Sequence, residues 1–160
     1  MKRLSLIGAF ALATLVLHVQ PLLAQTRAKA AAPERIAFGQ EVNLADYLVP
    51  GKTVVFDFTS EFCPPCRAIS PHLDKLHAKR DDVVVVKVDI NRPDVRGIDW
   101  GSPVAKQYGM QSIPHFKVFG PDGKLQALGR TRQGRVFETW SADGGMTWGE
   151  MALTDLPNPS

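Results

Sequence analysis

Two apolar, β-branched runs separated by an amphipathic segment place the strongest constraint on the fold of this chain. The runs are TVVFDF at 53–58 and VVVVKVDI at 83–90, and each is typical of a buried strand. The segment between them, PPCRAISPHLDKLHAKR at 64–80, repeats apolar side chains on one helical face and ends in basic residues. A strand, a helix and a second strand in this order predict a parallel pair of strands in an α/β domain.

Shorter signals extend this layout on both sides. Residues 44–48 predict a helical turn, and SPVAKQYG at 102–109 has a serine cap, a first-turn proline and a terminal glycine, as helices do. Two short runs, HFKVFG and KLQALGR, flank the turn sequence PDG and predict a β-hairpin. We therefore expect a central mixed sheet flanked by helices.

The first 24 residues have the order of a secretory signal peptide. MKR is basic, LSLIGAFALATLVLHV is apolar, and QPLLA ends in a small residue at Ala24. Cleavage after Ala24 is expected, which would place the protein in the periplasm or outside the cell. An uncleaved membrane anchor is the alternative, because the run approaches the ~18 apolar residues that span a bilayer.

Cleavage would leave about 136 residues, enough for one domain with a proper core. Residues 25–34 are polar and alanine-rich and predict a disordered lead, which puts the folded domain at 35–155. The formal charge of +3 falls to +1 when Lys2 and Arg3 are removed, so nucleic-acid binding has no support. A monomer without a cofactor is expected.

Only two cysteines occur, Cys63 and Cys66, with two prolines between them. A closed zinc site needs about four ligands, and His115 is the one histidine of the mature chain expected to approach the pair, so no zinc site is predicted. A two-coordinate Cu(I) site stays open as an alternative. A disulfide that closes so short a loop adds little stability, which argues against a structural staple. The spacing favours redox chemistry.

The redox interpretation assigns a different role to each cysteine. At the start of a helix, the Cys63 sulfur would face unpaired backbone N–H groups and the positive end of the helix dipole, which favour the thiolate. Cys66, one turn along, would attack the mixed disulfide and release the product. Cys63 is thus the predicted nucleophile and Cys66 the resolving thiol. This chemistry requires that a partner protein reach the sulfurs.

More than the cysteine pair resembles the thioredoxin superfamily. VVFDFTSEFCPPCRAISP is similar to the strand, turn and helix of that family's active site, and the resemblance covers about residues 40–130. Further matches are the buried acid at Asp57, the helix proline at Pro71, the strand lysine at Lys87, and the isoleucine and cis-proline at Ile113 and Pro114. The resemblance implies a thioredoxin-like fold and a protein-disulfide oxidoreductase.

The resemblance also implies site roles. Asp57 would take a proton from Cys66 through water, and Lys87 would pair with Asp57. Pro114 in cis would present a backbone edge beside the disulfide, to which a disulfide-containing protein substrate adds as a strand. The remaining substrate-binding residues would be Phe62, Pro64, Pro65, Ile113 and His115.

Three positions depart from the family's pattern. Phe62 stands where thioredoxins usually carry tryptophan, so an aromatic wall is kept without the indole donor. About eight residues are inserted within NRPDVRGIDWGS, where Trp100 is expected to pack the loop. His115 follows Pro114 where a small hydroxyl residue is common, and would tune the thiolate or accept protons.

The C-terminal segment predicts a β-hairpin at 135–152 in place of the family's final helix. Within it, SADGGMTW at 141–148 fits the S-x-D-x-G-x-T-W pattern of the Asp box known from sialidase propellers. Asp143 is expected to cap the turn, with Trp148 packed beneath. One copy cannot build a propeller of at least about four blades, so a structural hairpin is expected and not carbohydrate chemistry.

The direction of electron flow rests on Pro64 and Pro65. Neither residue has an N–H, so two donors that would stabilise the Cys63 thiolate are missing, which favours a reducing pair. The helix dipole acts in the opposite sense. We expect an exported reductase of protein disulfides, recharged by a membrane electron donor. The alternatives are an oxidase, a Cu(I)-binding chaperone and a non-catalytic binding module.

Overall fold

The structure is a computed structural model that describes residues 27–130, 136–143, 147–149 and 152–154. The predicted signal peptide at 1–24 lies outside the described residues. The described elements are β1 (Glu34–Ile36), a 3-10 turn (Leu44–Tyr47), β2 (Thr53–Thr59), α1 (Pro64–Lys79), β3 (Val83–Asp89), α2 (Pro103–Gln107), β4 (His115–Phe119), β5 (Leu125–Arg130), β6 (Val136–Ser141) and β7 (Ala152–Thr154).

The strands form one mixed sheet with the order β1-β3-β2-β4-β5-β6-β7. Strands β1, β3 and β2 are parallel to one another, and each pairing from β2–β4 to β6–β7 is antiparallel. The predicted α/β fold, with its central parallel pair and its PDG hairpin, is confirmed. Strand β1 was not predicted, because its three residues are too few to show a period of two.

Side chains alternate along β2 and so divide the sheet into two faces. Phe56 and Phe58 are fully buried in the main hydrophobic core, on the face that the 3-10 turn and α2 cover. Asp57 points to the opposite face and lies beside Lys87 of the parallel neighbour β3. Lys87 bonds to side chains of α1, so α1 covers the face that carries Asp57.

The part of the predicted disordered lead that the structure describes, residues 27–34, contacts the C-terminal end of α1. The Lys29 ammonium donates to the backbone carbonyl of Arg80 at 2.7 Å, where the last turn of a helix has unpaired acceptors. His77 is buried, accepts from the Val85 N–H at 3.0 Å and lies 2.9 Å from the Ala30 carbonyl. Here the structure differs from the predicted disorder.

The loop inserted between β3 and α2 is held by an ion pair. Asp99 is 4% exposed and accepts from the Arg92 guanidinium at 2.7 Å. Trp100 is 42% exposed, so the expectation that this tryptophan packs the loop is wrong. The charged pair stabilises the loop instead, and the ring faces solvent.

The C-terminal strands β6 and β7 pair as predicted for a hairpin, and no helix follows α2 among the described residues. Asp143 accepts from the Thr147 N–H at 2.9 Å and from its hydroxyl at 2.6 Å, which confirms its capping role. Trp148 is 46% exposed, so its ring is only partly covered. None of the described helices has the length and apolar character needed to cross a bilayer.

Candidate functional site

Cys63 is the N-cap residue of α1, as predicted. Its Sγ lies 3.1 Å from the backbone nitrogen of Cys66 and accepts that N–H. Pro64 and Pro65 fill the first two helical positions and have no N–H, so the Cys66 N–H is the first that the helix can offer. The two sulfurs are joined in a disulfide.

A short turn carries the chain from β2 into this helix. The Cys63 N–H donates to the Ser60 carbonyl at 3.2 Å, and the Phe62 N–H donates to the Ser60 hydroxyl at 3.1 Å. The Arg67 guanidinium reaches back to the Glu61 carbonyl at 2.6 Å. These bonds fix the disulfide at the end of the strand that carries Asp57.

The predicted neighbour of the disulfide is in place. The peptide bond between Ile113 and Pro114 is cis, and the Ile113 carbonyl oxygen lies 3.7 Å from Cys63 Sγ. Both residues are half-buried, and His115 follows them as the first residue of β4. The loop before β4 therefore supplies one wall of the site.

The sulfurs themselves are covered, contrary to the expectation that a partner protein can reach them. Cys63 is 1% exposed and Cys66 is fully buried in this disulfide form. The rim around them is open to solvent, because Pro64 and Pro65 are exposed and Phe62 is half-buried. In this disulfide form the rim is accessible to solvent and the two sulfurs are not.

Asp57 is a buried carboxyl group without a hydrogen bond. It has no exposed surface, and neither Oδ1 nor Oδ2 has a partner. Burial raises the pKa of Asp57 to about 6, and the charge of Asp74 adds to this. The cations Lys87 and Arg35 act in the opposite sense. Asp57 can thus exchange a proton near neutral pH.

Lys87 does not pair with Asp57, which corrects the prediction. The two residues are register partners on β2 and β3, yet the Lys87 ammonium donates to Ser70 Oγ at 2.7 Å and to Asp74 Oδ1 at 2.5 Å. Both acceptors lie on α1. Acceptors on α1 therefore bind the Lys87 ammonium, which was expected to pair with the Asp57 carboxylate.

Ser70 and Asp74 were not among the site residues predicted from the motifs. The signal was their spacing, because residues four apart lie one above another on a helix, and Cys66, Ser70 and Asp74 form such a row. A cavity of about 390 Å³ beside this row is lined by Cys66, Ser70 and Lys87, with Ser60 and others. The row and the cavity join Cys66 to Lys87.

His115 is a partly buried imidazole at this site. Burial lowers the pKa of the His115 imidazole below its usual value, and the neighbouring charge of Lys117 lowers it further. The ring packs edge-on against Phe58 with 6.0 Å between centroids. In the described part of the chain no three His, Cys, Asp or Glu side chains are grouped to hold a metal ion.

Comparisons with known proteins agree with this architecture. The sequence profile described as Thioredoxin matches residues 35–141, more than half of the chain. Thioredoxin F1 of Arabidopsis thaliana chloroplasts is 42% identical over 67 residues, which are 42% of this chain and 34% of that protein. Thioredoxin H-type of Brassica campestris is 39% identical over 77 residues, which are 48% of this chain and 56% of that protein. The chain thus spans between a third and somewhat over half of these relatives.

Solved structures of the same kind align over much of their length. Spinach chloroplast thioredoxin f, in its short form, has 25% identity and a TM-score of 0.42, covering 61% of this chain and 80% of its own. A mutant thioredoxin of Halobacterium salinarum has 22% identity and a TM-score of 0.43, covering 60% of this chain and 75% of its own. On the profile match across 35–141, the chain belongs to the thioredoxin family.

Proposed function

We propose that this protein is an exported thiol–disulfide oxidoreductase that reduces disulfides in client proteins. One observation carries the proposal: the Cys63–Cys66 disulfide lies at the N-terminus of α1, beside the carbonyl before a cis proline. Membership of the thioredoxin family supports the same chemistry. Export rests on the signal-peptide pattern at 1–24.

The reaction begins with the reduced pair. The Cys63 thiolate attacks one sulfur of a client disulfide, forms a mixed disulfide and releases the other client sulfur as a thiolate, which takes up a proton. Cys66 then loses its proton and attacks Cys63 Sγ, which breaks the bond to the client. The protein leaves oxidised, and the client has gained two electrons and two protons.

Asp57 accepts the proton that Cys66 releases. A carboxyl group with a pKa of about 6 is ionised at neutral pH yet close enough to it to take a proton and give it back. The cycle needs both proton uptake and proton release by Asp57. Cys66 must be a thiol while Cys63 attacks the client, and Cys66 must be a thiolate when it attacks the mixed disulfide. A water between Cys66 and Asp57 would carry the proton.

The client binds across the exposed rim of the disulfide. Pro64 and Pro65 are exposed on one side, and the half-buried segment 113–115 lies on the other. A client segment that runs between them would add to the backbone beside Pro114 as an extended strand. Binding of that segment would provide the free energy to uncover Cys63, which is 1% exposed in the disulfide form.

Reduction is the favoured direction because Cys63 Sγ has a single backbone donor within the first turn, the Cys66 N–H at 3.1 Å. With prolines at the two preceding positions the thiolate is less stabilised, and the pair is a better electron donor. A membrane electron carrier would recharge it, since exported compartments lack the cytosolic reductants.

Two measurements on the mature protein test this proposal. The first is the reduction of insulin disulfides with dithiothreitol as the final donor, for which the wild type should accelerate insulin-chain precipitation and Cys63→Ser should not. The second equilibrates the cysteine pair against glutathione, where a pair well below the glutathione potential indicates a reductase. A strongly oxidising pair would instead establish the oxidase alternative, and a wild type without insulin activity would contradict the proposal.

A further inference from the structure

Lys87 has two groups of acceptors within reach, and it bonds to one of them only. Its ammonium contacts Ser70 and Asp74 of α1, although Asp57 is its register partner on the adjacent strand. Asp57 is buried with both carboxyl oxygens unpartnered, whereas the Asp74 side chain is 48% exposed and would be solvated without Lys87. The buried acid is therefore left unpaired while a solvated acid takes the cation.

We propose that Asp74 is a positioning residue for the redox reaction: together with Ser70 it holds the Lys87 ammonium away from Asp57, which keeps Asp57 free to exchange a proton with Cys66. The inference rests on the proposed function of Asp57 in the thiol–disulfide cycle. It assigns a task to the row of Cys66, Ser70 and Asp74 along α1, whose last two members bind the lysine and whose first member is the resolving thiol.

The charges around Asp57 support this assignment. The pKa of Asp57 responds to the charges of three side chains, which are Lys87 on β3, Arg35 on β1 and Asp74 on α1. On the fourth side, β4 places the uncharged Phe116 opposite Asp57. Arg35 is engaged with Asp89 at 3.4 Å. Lys87 is thus the one cation on the described sheet that can switch between Asp74 and Asp57.

Removal of the Asp74 charge should release the lysine. In Asp74→Asn the ammonium loses its charged acceptor and moves toward the carboxylate of Asp57, which is stabilised in its ionised form. The Asp57 titration midpoint should fall by about one pH unit, because an opposite charge within reach lowers a carboxyl pKa by ~1–3 units. Ser70→Ala, which keeps the Asp74 charge, should produce a smaller shift in the same direction.

The experiment is a carboxyl-carbon NMR titration of oxidised, aspartate-labelled protein from about pH 2 to about pH 9, a range that brackets the usual aspartate pKa of about 3.9. Asp57→Asn identifies the Asp57 resonance, and Asp81→Asn serves as the matched control, because Asp81 is an exposed aspartate outside the site. Chemical shifts elsewhere report whether each variant is folded. The titration does not depend on catalytic turnover, so its result can be interpreted even if the protein lacks the proposed enzymatic function.

A double variant separates positioning from the direct effect of the Asp74 charge. If Asp74 acts by holding Lys87, then Asp74→Asn should shift the Asp57 midpoint far less in a Lys87→Met background than in the wild type. Equal shifts in the two backgrounds would overturn the proposal, since Asp74 would then act by its own charge alone. An Asp57 midpoint that is unchanged or raised in Asp74→Asn would overturn it as well.

Discussion

At the scale of single residues, the central feature is an acid that the fold leaves without a partner. Burying an ionised carboxylate without hydrogen bonds is unfavourable, so Asp57 responds by holding its proton to higher pH. Its nearest cation, Lys87, is bound by α1 instead. The site therefore contains a carboxyl group that titrates near neutral pH, and burying this group lowers the stability of the folded protein.

The stability of the oxidised protein should depend on pH through Asp57. Its pKa is about 6 in the folded protein against a usual value of 3.8, so the unfolded chain ionises first, and stability falls as pH rises from about 4 to about 6. Asp57→Asn stays neutral. Between about pH 4 and about pH 6, the free energy of unfolding of Asp57→Asn should therefore rise relative to that of the wild type by about 2–3 kcal/mol, which urea unfolding would measure.

The matched control for this prediction is Asp81→Asn, which alters an exposed carboxylate. Its stability relative to the wild type should change little between about pH 4 and about pH 7. If the free energies of unfolding of Asp57→Asn and wild type differ by the same amount at both pH values, Asp57 does not titrate in this range.

The sequence showed which residues matter at this scale but not how they pair. Asp57 and Lys87 stand out because a charge within an apolar strand is rare and needs a reason. Which acceptor Lys87 uses depends on where α1 crosses the sheet, and that crossing is set by tertiary packing. The burial of Cys63 is of the same kind, since the Ile113 carbonyl, which is distant in sequence, lies 3.7 Å from its Sγ.

At the scale of elements, the N-terminus of α1 sets the chemistry of the disulfide. A helix presents unpaired N–H groups in its first turn, and this helix begins with two residues that have none. The Cys66 N–H alone is left to donate to Cys63 Sγ from these positions. The sequence predicted this arrangement fully, because it depends on local spacing only.

Pro65→Ala should make the cysteine pair more oxidising. An N-cap side chain accepts from the second or third helical N–H, and the variant restores the second one. A further hydrogen bond to the thiolate should shift the equilibrium with glutathione by about tenfold toward the reduced pair, since bonds to charged groups contribute ~1.5–3 kcal/mol. Pro50→Ala, at an exposed proline outside the site, should leave the equilibrium constant unchanged. A pair that becomes more reducing in Pro65→Ala would contradict this explanation.

The C-terminal hairpin should owe part of its stability to Asp143. This carboxylate accepts from the Ser141 hydroxyl at 2.7 Å and from the N–H and hydroxyl of Thr147. Asp143→Ala removes these bonds at an exposed turn and should lower the free energy of unfolding by about 1–2 kcal/mol. Urea unfolding would show it, with Asp94→Ala at an exposed loop position as control. A loss no larger than that of the control would mean that the turn does not need the carboxylate.

At the scale of the whole molecule, a βαβ unit supplies the site, and among the described residues the sheet continues into antiparallel strands with no helix after α2. The sheet order β1-β3-β2-β4-β5-β6-β7 places β2, which leads into the disulfide, in the interior of the sheet. Patterns of apolar residues predicted nearly all of these elements. They did not predict β1, nor the contacts of residues 27–34 with α1, because both depend on docking against the finished sheet.

The predicted signal peptide can be tested on the full-length chain. In a bacterium that expresses the full sequence, the mature protein should begin at Gln25 and appear in the periplasmic or secreted fraction, because the apolar run is followed by a small-residue cleavage site at Ala24. Intact-mass analysis of each cell fraction gives the N-terminus directly. A full-length chain found with the membranes would support the uncleaved anchor instead.

Trapping the mixed disulfide tests most directly whether Cys63 is the sulfur that meets the client. Reduced Cys66→Ser is mixed with oxidised insulin, and the adduct is located by mass spectrometry, with reduced Cys63→Ser treated in parallel. We expect an insulin chain attached to Cys63 in Cys66→Ser, and little or no adduct in Cys63→Ser, because Cys63 is the N-cap residue of α1 and its Sγ accepts a helix N–H, which favours its thiolate. Equal adducts on the two variants, or an adduct formed only through Cys66, would contradict it.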